Sequence, residues 1–342
     1  MINIGNIKIS IDREPLIIPE MGINHSGKIE LAFKIIDSAT KAGAKIIKNQ
    51  THVLEDEYSI EAKKIIPDNA NRNIFDLIKT CTFSEEDEFK IKLYAESKGL
   101  EYLSTPFSRK AVDRLEKLNI KCYKIGSGEF NNLPLIEYVC TKKKPMILST
   151  GMNNYDSIAK TVRILKKYKI KYALNHCTNV YPSNYKIARL NCITKLKQKY
   201  PKIPIGLSDH SENNLVALAS VSLGVSLIER HFVDSKTRKG PDISSSMDQK
   251  QLKELIEDSK KIFLSLKGDK KILVKEKSVA KFAFASVVAI DDIKKNEVLN
   301  KNNIWVMRPG NGDFSAEDYF RIIGKKAKKN IKKMHQIKKK DI

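Results

Sequence analysis

Short apolar runs alternate with amphipathic helical segments along most of the chain. Between residues 203 and 233, one apolar run ends at His210 and a second ends at His231. The segment between them carries apolar residues at i, i+3 and i+4 and stops at Gly224, as an α-helix does. Runs that are apolar at nearly every position are typical of parallel strands buried on both faces. The pattern therefore predicts a strand–helix–strand unit with a histidine at the carboxyl end of each strand.

The same unit recurs about eight times within about 270 residues, which predicts a (β/α)8 TIM barrel. A doubly wound open sheet is the alternative, but it usually has fewer strands and a G-x-G-x-x-G turn. The one candidate for that turn, residues 126–131, fails at its last position. A long polar connection over residues 53–82 is of the kind that covers a site. The other predicted helices span residues 29–42, 85–98, 109–118, 134–140, 188–200 and 248–266, with one more ending near residue 168.

The composition changes after Gly268. A lysine-rich stretch leads into short strand-like runs with turns from about residue 282. We therefore predict a catalytic barrel over residues 1–268, a linker over 269–281 and a small β-rich domain over 282–342. A domain of about 60 residues is small for a self-sufficient core, so it is expected to dock on something larger.

Composition narrows the class of protein. The 342 residues are 41% hydrophobic and 30% charged, which is typical of a globular protein. No apolar run approaches the roughly 18 residues of a membrane helix, and the first residues lack a signal-peptide pattern, so a cytoplasmic protein without a membrane partner is expected. The five scattered cysteines form no CxxC pair and are expected to be reduced.

The net charge of +23 raises the question of a nucleic-acid partner. Much of the lysine lies on predicted helix faces and in the C-terminal tail, and no RNA- or DNA-binding motif accompanies it. We therefore expect no nucleic-acid partner. A basic field that steers an anionic substrate accounts for the charge equally well.

Polar side chains collect where the predicted strands end, and in a barrel these ends meet at one mouth. Two lysines, several hydroxyls and a Gly-Ser-Gly turn are the parts of a phosphate cradle. A single serine or threonine is as often a turn residue, but two lysines ending buried strands need an anion, because an unpaired buried ammonium is costly. The two histidines either share a divalent metal or are ordinary hydrogen-bonded side chains. These residues are Glu20, Lys48, Thr105, Lys124, Ser127, Glu129, Ser149, Asn179, Asp209, His210, Glu229 and His231.

Ten motifs taken together resemble the sialic acid synthase family, and within it the bacterial N-acetylneuraminate synthases. They follow the family's order from about residue 16 to the C-terminus, so the resemblance covers nearly the whole chain. Either STPFS or GSGE alone would be a weak signal. The motifs are PEMGINHSG, KNQTHVLEDE, STPFS, YKIGSGE, ILSTGM, HCTNVYP, GLSDHS, IERHF, GPDISSSM and WVMRPGNGDF.

The resemblance implies a TIM barrel joined to a C-terminal antifreeze-like (SAF) domain. It implies an enzyme that condenses phosphoenolpyruvate with N-acetylmannosamine and water to give N-acetylneuraminic acid and phosphate. A 2,4-diacetamido sugar leading to legionaminic or pseudaminic acid is the alternative acceptor. The resemblance also implies a homodimer in which the SAF domain of one subunit caps the barrel of the other.

The resemblance assigns roles to particular residues. His210 and His231 match the ligands of a divalent metal, typically manganese, with magnesium and cobalt as alternatives. Glu129 matches a probable acid/base group, with Glu20 beside it as a second catalytic candidate. The phosphoenolpyruvate pocket corresponds to Lys48, Thr105, Lys124, Ser127, Ser149 and Asn179, and the sugar pocket to Glu20, Gln50, Asn69, Tyr181, Asp242 and Arg308. Arg308 is expected to reach across the dimer to the sugar.

One departure from the family is Asn49, which replaces a histidine of many close members. It touches neither the metal nor the phosphate positions, and whether it alters the surroundings of Lys48 is left open by the sequence. Two other classes of function compete with the synthase. A Schiff-base aldolase needs a lone lysine depressed in pKa by burial, whereas here both strand-end lysines lie among hydroxyls. A non-catalytic carbohydrate-binding protein would release no phosphate from phosphoenolpyruvate.

Overall fold

The computed structural model describes residues 1–67 and 70–342. Its first 267 residues form one compact unit built around eight parallel strands. Each strand pairs with the next along the chain and the last pairs with the first, so the sheet closes into a barrel. After a hairpin of β1 (Ile2–Ile4) and β2 (Ile7–Ile9), the barrel strands are β3 (Leu16–Glu20), β4 (Ile46–Thr51), β5 (Glu101–Pro106), β6 (Tyr123–Ile125), β7 (Met146–Ser149), β8 (Tyr172–Cys177), β9 (Ile205–Asp209) and β10 (Leu227–His231).

Helices follow the strands, which confirms the predicted (β/α)8 barrel. They begin at sequence signals that were readable in advance: Ser84 accepts a hydrogen bond from the Asp87 amide, and Asp248 forms a capping box with Gln251. The helices are α1 (Ile29–Lys41), α2 (Leu54–Glu57), α3 (Ile74–Cys81), α4 (Glu85–Ser97), α5 (Arg109–Lys117), α6 (Leu133–Thr141), α7 (Tyr155–Lys167), α8 (Asn191–Lys199), α9 (Leu215–Ser222) and α10 (Gln249–Ser265). No helix in the described residues combines the length and apolar character of a membrane span.

Three boundaries differ from the expectation. The polar connection over residues 53–82 carries the helices α2 and α3 and a 3-10 turn. The helix expected from residue 188 begins at Asn191, after a 3-10 turn over Tyr185–Ile187. The strands β9 and β10 continue into the polar residues that were expected to follow them, and those side chains are buried on alternating faces of the strands.

The barrel interior is divided into two layers along the strands. Since side chains alternate between faces, Ile46, Lys48 and Gln50 of β4 all point inward. The amino-terminal layer is apolar and packs against the β1–β2 hairpin, which covers that end of the barrel. The carboxyl-terminal layer is polar. The apolar layer consists of Leu16, Ile18, Ile46, Leu103, Cys122, Ile147, Ala173 and Leu227, with Ile2, Ile4 and Ile9 of the hairpin.

Residues Gly268–Ile342 form a second compact unit. It contains α11 (Lys277–Ala283), the antiparallel strands β11 (Ser286–Ala289) and β12 (Ile304–Met307), and α12 (Tyr319–Ile322). This division falls next to the predicted boundary, and the expected linker 269–281 includes the first turns of α11. The unit has its own buried apolar cluster, with Val287, Leu299 and Ile304 among its members.

The hairpin should contribute measurably to the stability of the barrel. Ile4 is fully buried against the apolar layer, so Ile4→Ala should lower the free energy of unfolding by about 2–5 kcal/mol through lost contacts and a cavity. Urea unfolding followed by far-UV circular dichroism measures this change. Tryptophan fluorescence is unsuitable, because the single tryptophan, Trp305, lies in the second unit and does not report on the barrel.

The matched control is Asn3→Ala, on the exposed side of the same strand. It should change the free energy of unfolding by less than about 0.5 kcal/mol. Equal losses in the two variants would mean that the hairpin does not stabilise the barrel.

Candidate active site

A cavity of about 290 Å³ opens at the carboxyl ends of the barrel strands. Strand register brings His231, Glu20 and Lys48 to one level across three neighbouring strands. Most of the predicted site residues line this cavity. They are Glu20, Lys48, Gln50, Thr105, Lys124, Ser127, Ser149, Asn179, Tyr181, His210, His231 and Asp242.

A buried carboxylate joins the two lysines. The Glu229 carboxylate lies 3.2 Å from Lys48 Nζ through Oε1 and 3.2 Å from Lys124 Nζ through Oε2. Burial raises the pKa of Glu229, but the charges of Lys124 and Lys48 outweigh burial and lower the pKa below its ordinary value. Glu229 is therefore ionised and holds both ammonium groups in place.

Glu20 supplies a second carboxylate to the same cluster. Its Oε1 accepts hydrogen bonds from Lys48 Nζ at 2.5 Å and from Gln50 Nε2 at 2.8 Å. Burial raises the pKa of Glu20, yet the Lys48 charge brings it below the usual range. Burial likewise lowers the pKa of Lys48, but the facing carboxylates leave it above its ordinary value. Glu20, Glu229 and Lys48 are therefore all charged in the buried cluster.

Hydroxyl and amide groups form a polar surface around the lysines. Lys124 Nζ donates to Ser149 Oγ at 2.6 Å, and Lys48 Nζ donates to Thr105 Oγ1 at 3.1 Å. The Gly151 amide donates to Ser127 Oγ at 3.1 Å. A side chain at Gly151 would collide with Asn179 Oδ1, which a Cβ would approach to 1.9 Å. The absence of a side chain at Gly151 therefore makes room for the Asn179 side chain at this turn.

The two histidines lie beside this surface with their ring centroids 5.5 Å apart. His210 Nδ1 is 2.9 Å from the Thr178 carbonyl oxygen, so Nδ1 carries the proton and Nε2 keeps a lone pair for a ligand. His231 Nδ1 is buried and has no hydrogen-bond partner in the described part of the chain, and Asp242 Oδ2 lies 3.5 Å away. The Tyr181 ring packs against the His210 ring at a tilt of 33°, with the ring centroids 4.1 Å apart.

These donors fit a divalent metal held by few protein ligands. Among residues 1–67 and 70–342, no group of three or more histidine, cysteine or carboxylate side chains is arranged to hold a metal. A structural zinc would want four ligands. Two imidazoles with lone pairs instead leave coordination positions for water and substrate oxygens.

Two candidates of the barrel unit, Asp209 and Glu129, are not among the residues that line the cavity. Asp209 instead pairs with Arg230, 3.1 Å from its Nε. Glu129 follows Gly128 of the lining turn, accepts a hydrogen bond from Asn132 Nδ2 at 2.7 Å, and has a pKa raised chiefly by burial. Arg308 belongs to the second unit, where it directly follows β12 with an exposed side chain. Asn69 lies outside the described residues.

Several cavity residues had no role predicted from the sequence. Glu229 was noted only as a strand-end residue, although it stands two positions before His231, and that spacing places both on one strand face. His52 and Tyr58 also line the cavity. Asn49 lies on the strand face opposite Lys48, where its amide donates to the Tyr102 hydroxyl at 2.9 Å.

Comparison with known proteins identifies the class to which both units belong. The profile of the NeuB family matches residues 35–271, and that of the SAF domain matches residues 284–342. The chain therefore belongs to the NeuB family, as the sequence motifs predicted.

The relatives carry more particular names. The chain is 34% identical to the N,N'-diacetyllegionaminic acid synthase of Campylobacter jejuni, over 94% of this chain and 98% of the relative. It is 33% identical to the pseudaminic acid synthase of the same species, over 96% of each chain. The solved N-acetylneuraminic acid (sialic acid) synthetase of Leptospira borgpetersenii, in complex with citrate, is 31% identical with a TM-score of 0.75, over 81% of this chain and 94% of that one.

Removing the charge of Glu229 should destabilise the protein and make it more responsive to phosphate. Glu229→Gln leaves two buried ammonium groups without their shared counterion, so the free energy of unfolding should fall by about 3–5 kcal/mol. Inorganic phosphate should then raise the Tm more in the variant than in the parent, because it replaces the missing charge. Thermal unfolding with and without phosphate measures both effects.

Glu137→Gln is the control, because Glu137 pairs with Lys167 at 3.0 Å on the exposed surface. It should cost at most about 1 kcal/mol. If both variants lost the same stability and responded equally to phosphate, Glu229 would not be the counterion that holds the cluster together.

Proposed function

We propose that this protein condenses phosphoenolpyruvate with the open-chain aldehyde of an N-acetylmannosamine-type sugar, giving a nonulosonic acid and phosphate. The observation that carries the proposal is the buried cluster of Lys48, Lys124 and Glu229 beside two histidines in one cavity. Membership of the NeuB family and the names of the relatives support it.

The lysine cluster suits phosphoenolpyruvate, which carries a phosphate and a carboxylate. Lys48 and Lys124 supply charge-assisted hydrogen bonds, and Ser127 and Ser149 supply further polar contacts. The positions of both lysines are fixed before substrate arrives, and phosphoenolpyruvate would replace hydroxyl partners such as Thr105 and Ser149 on them. Both lysines face carboxylates and hydroxyls, which favours phosphate binding over Schiff-base formation.

The reaction forms one carbon–carbon bond and breaks one carbon–oxygen bond. C3 of phosphoenolpyruvate attacks the aldehyde carbon, water adds to the positive C2, and the tetrahedral intermediate expels phosphate. His210 and His231 would hold a divalent ion, with manganese as the first candidate, which supplies Lewis-acid polarisation of the aldehyde oxygen. Glu129 has a pKa raised by burial, which suits a group that takes a proton from the attacking water.

Two classes of sugar are candidates for the acceptor: N-acetylmannosamine and the 2,4-diacetamido sugars. The wording of the KNQTHVLEDE and RPGNGDF segments resembles the N-acetylneuraminate branch, which favours N-acetylmannosamine. The relatives named as legionaminic and pseudaminic acid synthases favour a 2,4-diacetamido sugar. Glu20, Gln50, Tyr181 and Asp242 are the groups in the cavity that we assign to this substrate, with Asn69 assigned by resemblance alone.

Phosphate release with each of three acceptors tests the proposal. The purified protein, first treated with chelator and then given manganese, should release phosphate from phosphoenolpyruvate with N-acetylmannosamine or with one of the two diacetamido sugars. His231→Ala should lose bound metal, measured by elemental analysis, and lose activity by at least about a hundredfold. Activity near that of the parent in this variant would refute the ligand assignment, and no release with any acceptor would refute the function.

We further propose an active homodimer in which Arg308 acts on the sugar bound to the partner subunit. Its planar guanidinium suits a carbonyl or hydroxyl pair, and the turn that follows, Pro309 to Gly312, is rich in glycine and proline. A mixture of Arg308→Ala and Lys124→Ala subunits tests this, because each heterodimer then contains one intact site. Random mixing should restore about a quarter of the parent's activity.

Each variant mixed with itself is the control and should remain inactive. Native mass spectrometry establishes that heterodimers have formed. If heterodimers form and no activity returns, Arg308 serves its own barrel or has no role in the reaction.

A further inference from the structure

His52 is a buried residue of the cavity that the proposed reaction does not use. It directly follows β4, its side chain is 4% exposed, and its ring stacks on Phe107 with centroids 4.4 Å apart. Its Nδ1 lies 2.8 and 3.0 Å from the two carboxylate oxygens of Glu57. Its Nε2 lies 3.2 Å from Gln50 Oε1. Both ring nitrogens therefore face oxygen atoms.

The neighbours of His52 determine where its protons are. Gln50 places its amide nitrogen 2.8 Å from Glu20 Oε1, and an ionised carboxylate only accepts hydrogen bonds. The amide nitrogen of Gln50 must therefore face Glu20, which turns the amide oxygen toward His52. That oxygen requires a proton on Nε2, and the Glu57 carboxylate requires one on Nδ1. The arrangement is satisfied by an imidazolium ion.

We propose that His52 is a positioning residue that acts as an imidazolium: Glu57 holds it, and it fixes the amide of Gln50 so that the amide nitrogen is directed at Glu20. The inference rests on the proposed function, in which Gln50 and Glu20 bind the acceptor sugar. His52 thereby sets the donors and acceptors that the sugar meets, without touching the reacting atoms.

Loss of one proton should disturb this arrangement. If the Glu57 contact keeps the remaining proton on Nδ1, the Nε2 lone pair faces the oxygen of Gln50. Rotating the Gln50 amide relieves that repulsion but turns its oxygen toward the Glu20 carboxylate. Either geometry weakens the sugar site, while the lysine cluster that binds phosphoenolpyruvate keeps its contacts.

Other titratable groups surround His52, Glu57 and Gln50. Burial lowers the pKa of His25 to about 3, so this ring carries no charge near neutral pH. Burial raises the pKa of Tyr58 and of Glu129, and both side chains are neutral when protonated. Neither can therefore replace His52 as the positive charge beside Glu57. Within residues 1–67 and 70–342, the titratable groups that face the three residues are Glu20 of β3, His25 in the turn after β3, Lys48 of β4, Tyr58 after α2 and Glu129 after β6.

Glu57→Gln is the discriminating variant. The introduced amide can donate to Nδ1, so a neutral ring with its proton on Nε2 satisfies Gln50. The KM of Glu57→Gln for the sugar should therefore stay within about threefold of the parent's. His52→Ala leaves the oxygen of Gln50 without its donor, so the KM for the sugar should rise about tenfold while the KM for phosphoenolpyruvate changes less than about twofold.

Glu55→Gln is the matched control, because Glu55 is exposed on the same short helix. Its KM values for both substrates should match those of the parent. A KM for the sugar in His52→Ala equal to that of the parent would overturn the proposal.

Histidine side-chain NMR provides a readout that needs no turnover. The chain has six histidines, and the spectrum of His52→Gln identifies the signal of His52. In the parent at about pH 6 both ring nitrogens should carry protons, and in Glu57→Gln only Nε2 should. A singly protonated His52 in the parent at that pH would overturn the inference. A parent without synthase activity would instead refute the proposed function, and the NMR result would still decide the protonation state.

Discussion

The salt bridges of Glu229 with Lys48 and Lys124 are the interaction on which the barrel mouth depends. Two ammonium groups in the interior of a barrel would repel each other and would each lose hydration. One carboxylate that contacts both makes their burial tolerable and fixes their directions. The hydroxyl oxygens of Thr105 and Ser149 accept further hydrogen bonds from Lys48 and Lys124. An incoming phosphate therefore meets an arrangement whose charges are already balanced and oriented.

The division of the barrel interior into two layers gives the strands two separate tasks. The inward positions near the amino-terminal ends are apolar and pack against the hairpin. Two residues further along the same strands, the inward positions carry lysines, carboxylates and hydroxyls. Gly206 marks a place where the layers crowd each other, because a Cβ there would lie 2.4 Å from Asn175 Oδ1. The apolar layer supports the geometry that the polar layer needs.

The sequence predicted the barrel because strands buried on both faces leave a distinct apolar run, and the polar residue after each run marked the mouth. It also identified most of the cavity residues. It failed where a role depends on a partner distant in the chain: Glu229 became important only through Lys48 and Lys124, and His52 only through Glu57 and Gln50. Strand alternation places Lys48 and Asn49 on opposite faces, which bears on the question that the sequence left open for Asn49. The placement of Asn69 is still a prediction.

The β1–β2 hairpin has a consequence for the order of events in a turnover. Because it covers the amino-terminal end of the barrel, ligands enter and leave through the strand ends at the other side. In the proposed reaction, phosphoenolpyruvate bound at the interior lysines is then covered by the sugar that binds nearer the mouth. Such a dead-end pocket favours compulsory-order kinetics, in which the deeper ligand enters first and the deeper product departs last.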